Sequence, residues 1–237
     1  MKFSRKTSII LNNIINNLLP PFLRDSRLFM KTFFLLLFKD KAELFLTFRE
    51  KAFTLTEEEY IDYYKKTSTC NLLSETDLND ECLQQIPLET IGNQVLDVGC
   101  GRGILTERLS KKHQVTATDI VITPQLQSIQ SIQCVASNVE DLPFNNAEFD
   151  TVICTHVLEH VRDIQKAISE LRRVTKQRLI IVVPKERAYK FGFNLHLSFF
   201  PYKYSLEQAF NVTAHTNKYS ITEPGGDWLY IEYINQA

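Results

Sequence analysis

The residues best suited to chemistry in this chain fall in five short segments. They are Asp97, Gly99, Cys100, Gly101 and Gly103 in VLDVGCGRG; Asp119 closing VTATD; Asn138, Val139 and Glu140 in SNVEDLPF; Thr155, His156, Glu159 and His160 in FDTVICTHVLEHV; and His196 in NLHLSFFP. Three of the seven glycines stand on alternate positions directly after a run that reads as a buried strand. Glycine there permits positive φ and lets a ligand approach backbone N–H groups that a Cβ would shield. The stretch therefore predicts a nucleotide-like ligand held at a strand-to-helix turn. Spacing narrows the class. The dinucleotide fingerprint is G-x-G-x-x-G, whereas this chain reads G-C-G-R-G-I, with the third glycine one residue early. Asp97, two positions before the first glycine, would face a positive group better than a pyrophosphate. Asp119 can accept from both hydroxyls of a ribose, a feature that dinucleotide enzymes share.

The elements around these residues alternate. After Gly92, short β-branched runs appear at QVLDV, QVTATD, IQCVAS, FDTVICT and RLIIVVP, separated by the helix-like LTERLSKK, TPQLQSIQ and VRDIQKAISELRRV. Nearly continuous apolar strands alternating with helices imply a parallel sheet covered on both faces. NVTAHTNKYS and DWLYIEYINQ flank Glu223-Pro-Gly-Gly and read as a closing antiparallel hairpin. Before residue 90 the patterns are helical. Ile10, Leu11, Ile14, Ile15, Leu18 and Leu19 share one side of a first helix, stopped at Pro20–Pro21. A second, aromatic helix is expected from about Asp25 to Arg49, and Thr56 with the three glutamates after it opens a third. The expected division is a helical extension or lid over 1–89 and an α/β, Rossmann-like, doubly wound domain over 90–237.

Composition bounds the class. Over 237 residues the net charge is −1, which gives no global reason to expect nucleic acid. Residues 1–50 nevertheless carry nine Lys/Arg against four Asp/Glu, and residues 51–93 three against nine. The five scattered cysteines form no C-x-x-C pair, which speaks against a disulfide framework and a zinc knuckle and for a reducing compartment. They read as small buried hydrophobes. FFLLLF, Phe33–Phe38, is bracketed by Lys31 and Lys39 and is too short to span a bilayer. Four asparagines interrupt the apolar N-terminus, unlike a cleaved signal. A cytoplasmic protein is expected. His156-x-x-Glu159-His160 matches a zinc-peptidase pattern, but that chemistry needs both histidines on one face of one helix. Here they straddle a strand end and a helix start, so no metal is expected.

Taken together, VLDVGCGRG, VTATD, SNVEDLPF, FDTVICTHVLEHV and LIIVVP resemble the class I S-adenosylmethionine-dependent methyltransferases, in the broad group with quinone-, lipid- and sugar-modifying members. The likeness runs over about residues 90–237 in order and spacing. It implies a seven-stranded, mostly parallel sheet and S-adenosyl-L-methionine as cofactor. The glycine loop, with Cys100, would take the methionine part, Asp97 its amino group and Asp119 the ribose. Asn138, Val139 and Glu140 would lie along the adenine, with Asn138 where the family usually has Asp, and Thr155 would complete the set. The chain also lacks the glycine pair that often precedes the fifth strand; TKQR stands there as the turn.

The resemblance implies methyl transfer to a small molecule: a sugar, lipid-linked or quinone-type acceptor, at a hydroxyl, or else at a carbon or nitrogen. A hydroxyl must lose its proton, and a positioned base contributes about 10²–10⁴-fold. His156, at the end of the fourth strand, and His196, in the loop after the fifth, are the catalytic candidates. The basic, aromatic front end suits a lid, burial of FFLLLF against the sheet domain, or peripheral contact with an anionic membrane. Rival readings are a non-catalytic cofactor- or partner-binding protein of the same fold, and an NAD-dependent oxidoreductase.

Overall fold

Valine, isoleucine and leucine dominate the runs that read as strands, and in the computed structural model they build one mixed sheet. The structure describes residues 18–68, 78–192, 194–214 and 216–234. The strands are β1 (Gln94–Val98), β2 (Gln114–Asp119), β3 (Ile132–Ala136), β4 (Phe149–Thr155), β5 (Thr175–Pro184), β6 (Lys218–Thr222) and β7 (Asp227–Tyr233). Their order is β3-β2-β1-β4-β5-β7-β6. Strands β1 to β5 run parallel, and β7 pairs antiparallel with both β5 and β6. This is the expected doubly wound sheet with its terminal hairpin. Order reverses between β1 and β4, and in sheets of this kind ligands bind beyond the carboxyl ends of the strands at such a switch.

The described helices are α1 (Pro21–Arg24), α2 (Arg27–Phe38), α3 (Ala42–Lys51), α4 (Glu57–Ser68), α5 (Asp80–Glu89), α6 (Ile104–Ser110), α7 (Pro124–Gln127), α8 (Ile164–Val174) and α9 (Lys203–Ala209). The chain forms two compact units: Met1–Ser74 with Arg187–Leu197, and Glu75–Glu186 with Ser198–Ala237. Helix α5 thus goes with the sheet, and a short stretch after β5 goes with the N-terminal helices.

The sheet unit buries both faces. On one side α8 presents Ala167, Ile168, Leu171 and Val174 at helical spacing against Leu179, Ile181 and Val183 of β5. On the other, Cys82 and Ile86 of α5 and Leu105 and Leu109 of α6 pack with Ile180 and Val182. Burial of both faces explains why β5 reads as an unbroken apolar run rather than an alternating one. The expected turn at TKQR is absent: α8 ends at Val174 and β5 begins at Thr175, whose hydroxyl donates to the Leu171 carbonyl at 2.6 Å. The helix runs straight into the strand, and a register shift in the β4–β5 pairing absorbs the irregularity.

The helical unit departs further from expectation. The single helix expected over 25–49 is two, α2 and α3, joined by a 3-10 turn at Lys39–Lys41, with Lys39 at φ 51°. The break lets Phe34 and Phe38 of α2 meet Phe45 of α3, with ring centroids 6.1 and 4.4 Å apart. Met30, Phe48, Tyr60, Phe191 and Leu195 complete this cluster. FFLLLF is therefore split: Phe34 and Phe38 are buried in the unit's own core, while Leu35 and Leu36 are exposed. Arg49 pins residues 190–196 by donating to the carbonyls of His196, Asn194 and Lys190, and lies over the Tyr189 ring. Thr56 and Glu59 exchange hydrogen bonds as a capping box opening α4, as its sequence suggests. The first helix expected over Ile10–Leu19 lies almost wholly outside the described residues, and so does Cys70. The other four cysteines are free, with Cys82 and Cys154 buried.

Candidate functional site

At the carboxyl edge of the sheet, β1 ends on Asp97 and Val98 and the chain turns through the glycine loop into α6. Gly99 and Gly101 sit at φ 71° and 54°, which side chains rarely adopt. Each glycine has its own reason. A Cβ at Gly99 would lie 2.0 Å from Val157 Cγ2, so this position lets the loop pack on the turn after β4. A Cβ at Gly101 would meet nothing within 4 Å and would project into open space.

The loop's backbone donors are used internally. Gly99 and Cys100 N–H both donate to the Thr118 carbonyl, at 2.7 and 3.2 Å, and Gly103 N–H donates to Cys100 O at 2.9 Å. Gly101 N–H donates to Asp119 Oδ2 at 2.9 Å, and Val121 N–H to Oδ1 at 3.2 Å. This corrects the expectation that glycine exposes N–H groups to the ligand. With these four N–H groups engaged, the glycine positions themselves offer bare shape beside acidic side chains.

Asp97 is buried and Asp119 is partly exposed. Asp97 is 1% exposed and accepts from Thr106 Oγ1 of α6 at 2.6 Å. Burial pushes its carboxyl up to about 6, the Thr106 bond opposes that, and the Asp119 charge adds to it. Burial also raises Asp119, against the backbone N–H groups that it accepts. The Cys100 thiol is raised by burial and by both carboxylates. Two carboxylates that feel each other's charge, one of them fully desolvated, favour a cationic group over a pyrophosphate.

The segment expected along the adenine is held from behind. Asn138 Oδ1 accepts from Glu140 N–H at 3.0 Å. Glu140 Oε1 accepts from the N–H groups of Arg162 and Asp163 at 3.0 and 3.1 Å, which ties the segment to the start of α8. Glu170 accepts from Leu142 N–H, and Arg173 donates to the Leu142 and Phe144 carbonyls. Val139 is buried. Thr118 Oγ1 and Ser137 Oγ lie 2.5 Å apart, joining β2 to the same segment.

Thr155 closes β4 in register with Val182, and His156 follows at φ 54° with its N–H donating to Val182 O at 2.9 Å. The His156 ring lies between two carboxylates, with Nδ1 3.3 Å from Glu159 Oε1 and Nε2 3.4 Å from Asp227 Oδ2. Burial alone would lower its pKa, but Asp227 and Glu159 outweigh burial and lift it to about 10. Two carboxylates at this range favour the imidazolium over the neutral ring. Asp227 in turn accepts from Asn79 Nδ2 at 2.7 Å, and Asn79 Oδ1 caps α5 through Cys82 N–H. His156 thus bolts the end of β4 to the start of β7 and to α5. His196 belongs to the other unit, where its carbonyl accepts from Arg49 Nε.

The structure therefore brings together Asp97, Gly99, Cys100, Gly101, Gly103, Asp119 and, through the turn after β4, His156. Sequence reading missed Thr106, Val157, Asn79 and Asp227. A threonine three residues into a helix carries no local sign that it faces Asp97. Asp227 reaches His156 only through the β5–β7 pairing of Pro184 with Asp227.

Gly101→Val is expected to leave the unit folded and to weaken cofactor binding. A side chain there would take up the open space that the cofactor would occupy, at a cost of about 1–3 kcal/mol, so the dissociation constant measured by calorimetry should rise about 5- to 150-fold. An unchanged constant would remove Gly101 from the site.

Residues 96–183 match the methyltransferase domain family. A ubiquinone biosynthesis O-methyltransferase of Xanthomonas euvesicatoria is 42% identical over 85 residues, covering 32% of this chain and 36% of that one. Ajmaline N-methyltransferase of Rauvolfia serpentina is 29% identical over 146 residues, 54% of this chain and 50% of that one. The chain thus spans no more than half the length of these curated relatives. The fold is shared with the crystal structure of Burkholderia thailandensis 1,6-didemethyltoxoflavin-N1-methyltransferase, solved with its acceptor and S-adenosylhomocysteine. Its TM-score is 0.56 at 20% identity, covering 77% of this chain and 92% of that one.

Proposed function

We propose that this chain, whose residues 96–183 match the methyltransferase domain family, is a class I S-adenosylmethionine-dependent enzyme that methylates a small molecule at a hydroxyl. The observation that carries the reading is Asp97: a buried carboxylate locked by Thr106 beside an open, side-chain-free Gly101. Bound there, S-adenosylmethionine would supply a methyl group already activated on a sulfonium.

The residues of this chain hold, orient and exclude water. Asp97 would meet the amino group of the methionine part, Asp119 the ribose, and Asn138 and Val139 the adenine edge. Carboxylates at this end would stabilise positive charge in a bound ligand, and the residues closing β4 would border the group being transferred. Alignment there is the main requirement of an in-line displacement. We assign His156 a positioning role, because both ring nitrogens face carboxylates. Through Val157, packed on Gly99, it fixes the turn that borders the glycine loop. His196 is kept as a candidate that touches the acceptor, within the helical unit that we propose sets acceptor choice.

The relatives support a small-molecule acceptor, since they include O- and N-methyltransferases of small molecules. The test is release of S-adenosylhomocysteine with phenolic, sugar and amine acceptors in parallel. Turnover confined to the hydroxyl compounds supports the reading, and turnover on amines alone overturns the hydroxyl assignment. Binding of the cofactor without any turnover favours a non-catalytic binding protein.

A further inference from the structure

Helix α2 is apolar on nearly every side. Of its twelve residues, RLFMKTFFLLLF, only Arg27, Lys31 and Thr32 are polar. Met30, Phe34 and Phe38 lie on one face and are buried in the helical unit. The opposite face carries Leu28, Leu35 and Leu36, which are 80%, 48% and 79% exposed, with Phe29 at its edge. On a helix, positions 28, 32, 35 and 36 fall within one exposed stripe, and Lys31 borders it. Phe22 of α1 and Phe53 after α3 are also exposed in this unit, at 75% and 67%. A monomeric soluble surface seldom leaves so many large apolar side chains grouped on short neighbouring helices.

The charges beside the stripe select what covers it. Residues 18–39 contain Arg24, Arg27, Lys31 and Lys39 against one acid, Asp25; Arg24 pairs with Asp25 and Arg27 with Glu43 and Glu50 of α3, which leaves Lys31 and Lys39 as the cations beside the stripe. Lys31 and Lys39 are exposed on α2 and at its carboxyl cap, and α2 itself holds no acid. A second copy of the chain would set basic residues against basic residues. An anionic lipid surface answers both features, because it takes leucine and phenylalanine into its boundary and lysine at its headgroups. Among the described residues no helix is long and apolar enough to cross a membrane, so the contact is one of lying on the surface.

We propose that the exposed face of α2, with Leu28, Leu35 and Leu36 as its apolar contacts and Lys31 and Lys39 as its cationic ones, docks the protein on an anionic phospholipid membrane. The proposal does not depend on which methyl acceptor is used.

The test is sedimentation of the full chain with phosphatidylcholine vesicles, with and without about 30% phosphatidylserine, at low and high salt. Binding to the anionic vesicles alone, weakened by salt, is expected. Leu28→Glu/Leu36→Glu should abolish it while the thermal shift given by S-adenosylhomocysteine is kept. Because that variant inserts acids, Lys31→Gln/Lys39→Asn serves as a milder second one; it should weaken partitioning about 30-fold, roughly fivefold per lysine. Equal binding to neutral and anionic vesicles, or none to either, would overturn the proposal. So would a concentration-dependent dimer that Leu28→Glu/Leu36→Glu dissolves, which would make the face an interface between copies.

Discussion

At about pH 7.5 the Asp97→Asn variant is expected to be more stable than the parent protein and to bind S-adenosylmethionine about a hundredfold more weakly. Both effects follow from one fact: Asp97 is buried, and in the free protein its carboxyl titrates at about 6 instead of 3.8. A carboxyl raised on folding favours the protonated native state. Its contribution is most favourable below 3.8 and is lost as pH rises through 6. Above pH 6 the ionised form costs on the order of 3 kcal/mol. Asparagine keeps the shape and an oxygen for Thr106 but removes that cost. The same ionised form is what the cofactor's amino group requires. Stability is therefore spent where binding needs a charge, and the variant should separate the two. Chemical denaturation and calorimetric titration of both proteins give the comparison. A variant that is less stable, or that binds equally well, would contradict the role assigned to Asp97.

His156→Ala is expected to destabilise the sheet unit by about 3–5 kcal/mol, the usual cost of removing one partner from a buried charge cluster. It would leave Glu159, fully buried, and Asp227 facing each other without the cation between them. The pH dependence has a definite sign. His156 titrates at about 10 when folded and 6.5 when unfolded. Its stabilisation is complete below 6.5 and is lost as pH climbs through 10. The difference in stability between parent and His156→Ala should therefore shrink across that window. Combining His156→Ala with Asp227→Asn should cost less than the sum of the two single changes, because one buried carboxylate is gone. Additive effects, or a stability gap that does not change with pH, would show that the ring does not bridge the carboxylates.

Much of the site is local in sequence and was legible for that reason. Asp97, the three glycines and Asp119 lie within two strand ends and one turn, so the pattern of apolar run, bare turn and helix placed them. The parallel sheet was legible because burial of both faces leaves β5 with no polar alternation. What escaped was set by distant pairing. Asp227 reaches His156 because β7 runs antiparallel beside β5, and a stretch beginning D-W-L-Y gives no sign of that partner. The same distance hid half of the surroundings of His156: Glu159 lies three residues on and was in view, whereas Asp227 comes from β7. The break at Lys39 was missed for another reason. Helix propensity is high on both sides of it, and only the packing of Phe38 on Phe45 rewards the bend.

The most direct test of the account is calorimetric titration of the intact chain with S-adenosylmethionine and with NAD, between about pH 5 and 8. Saturable one-site binding of S-adenosylmethionine is predicted, with affinity falling about tenfold per pH unit below about 6 as Asp97 takes up a proton, and no binding of NAD. Binding of NAD, or binding of S-adenosylmethionine that ignores pH and survives Asp97→Asn, would contradict the assignment of this crevice.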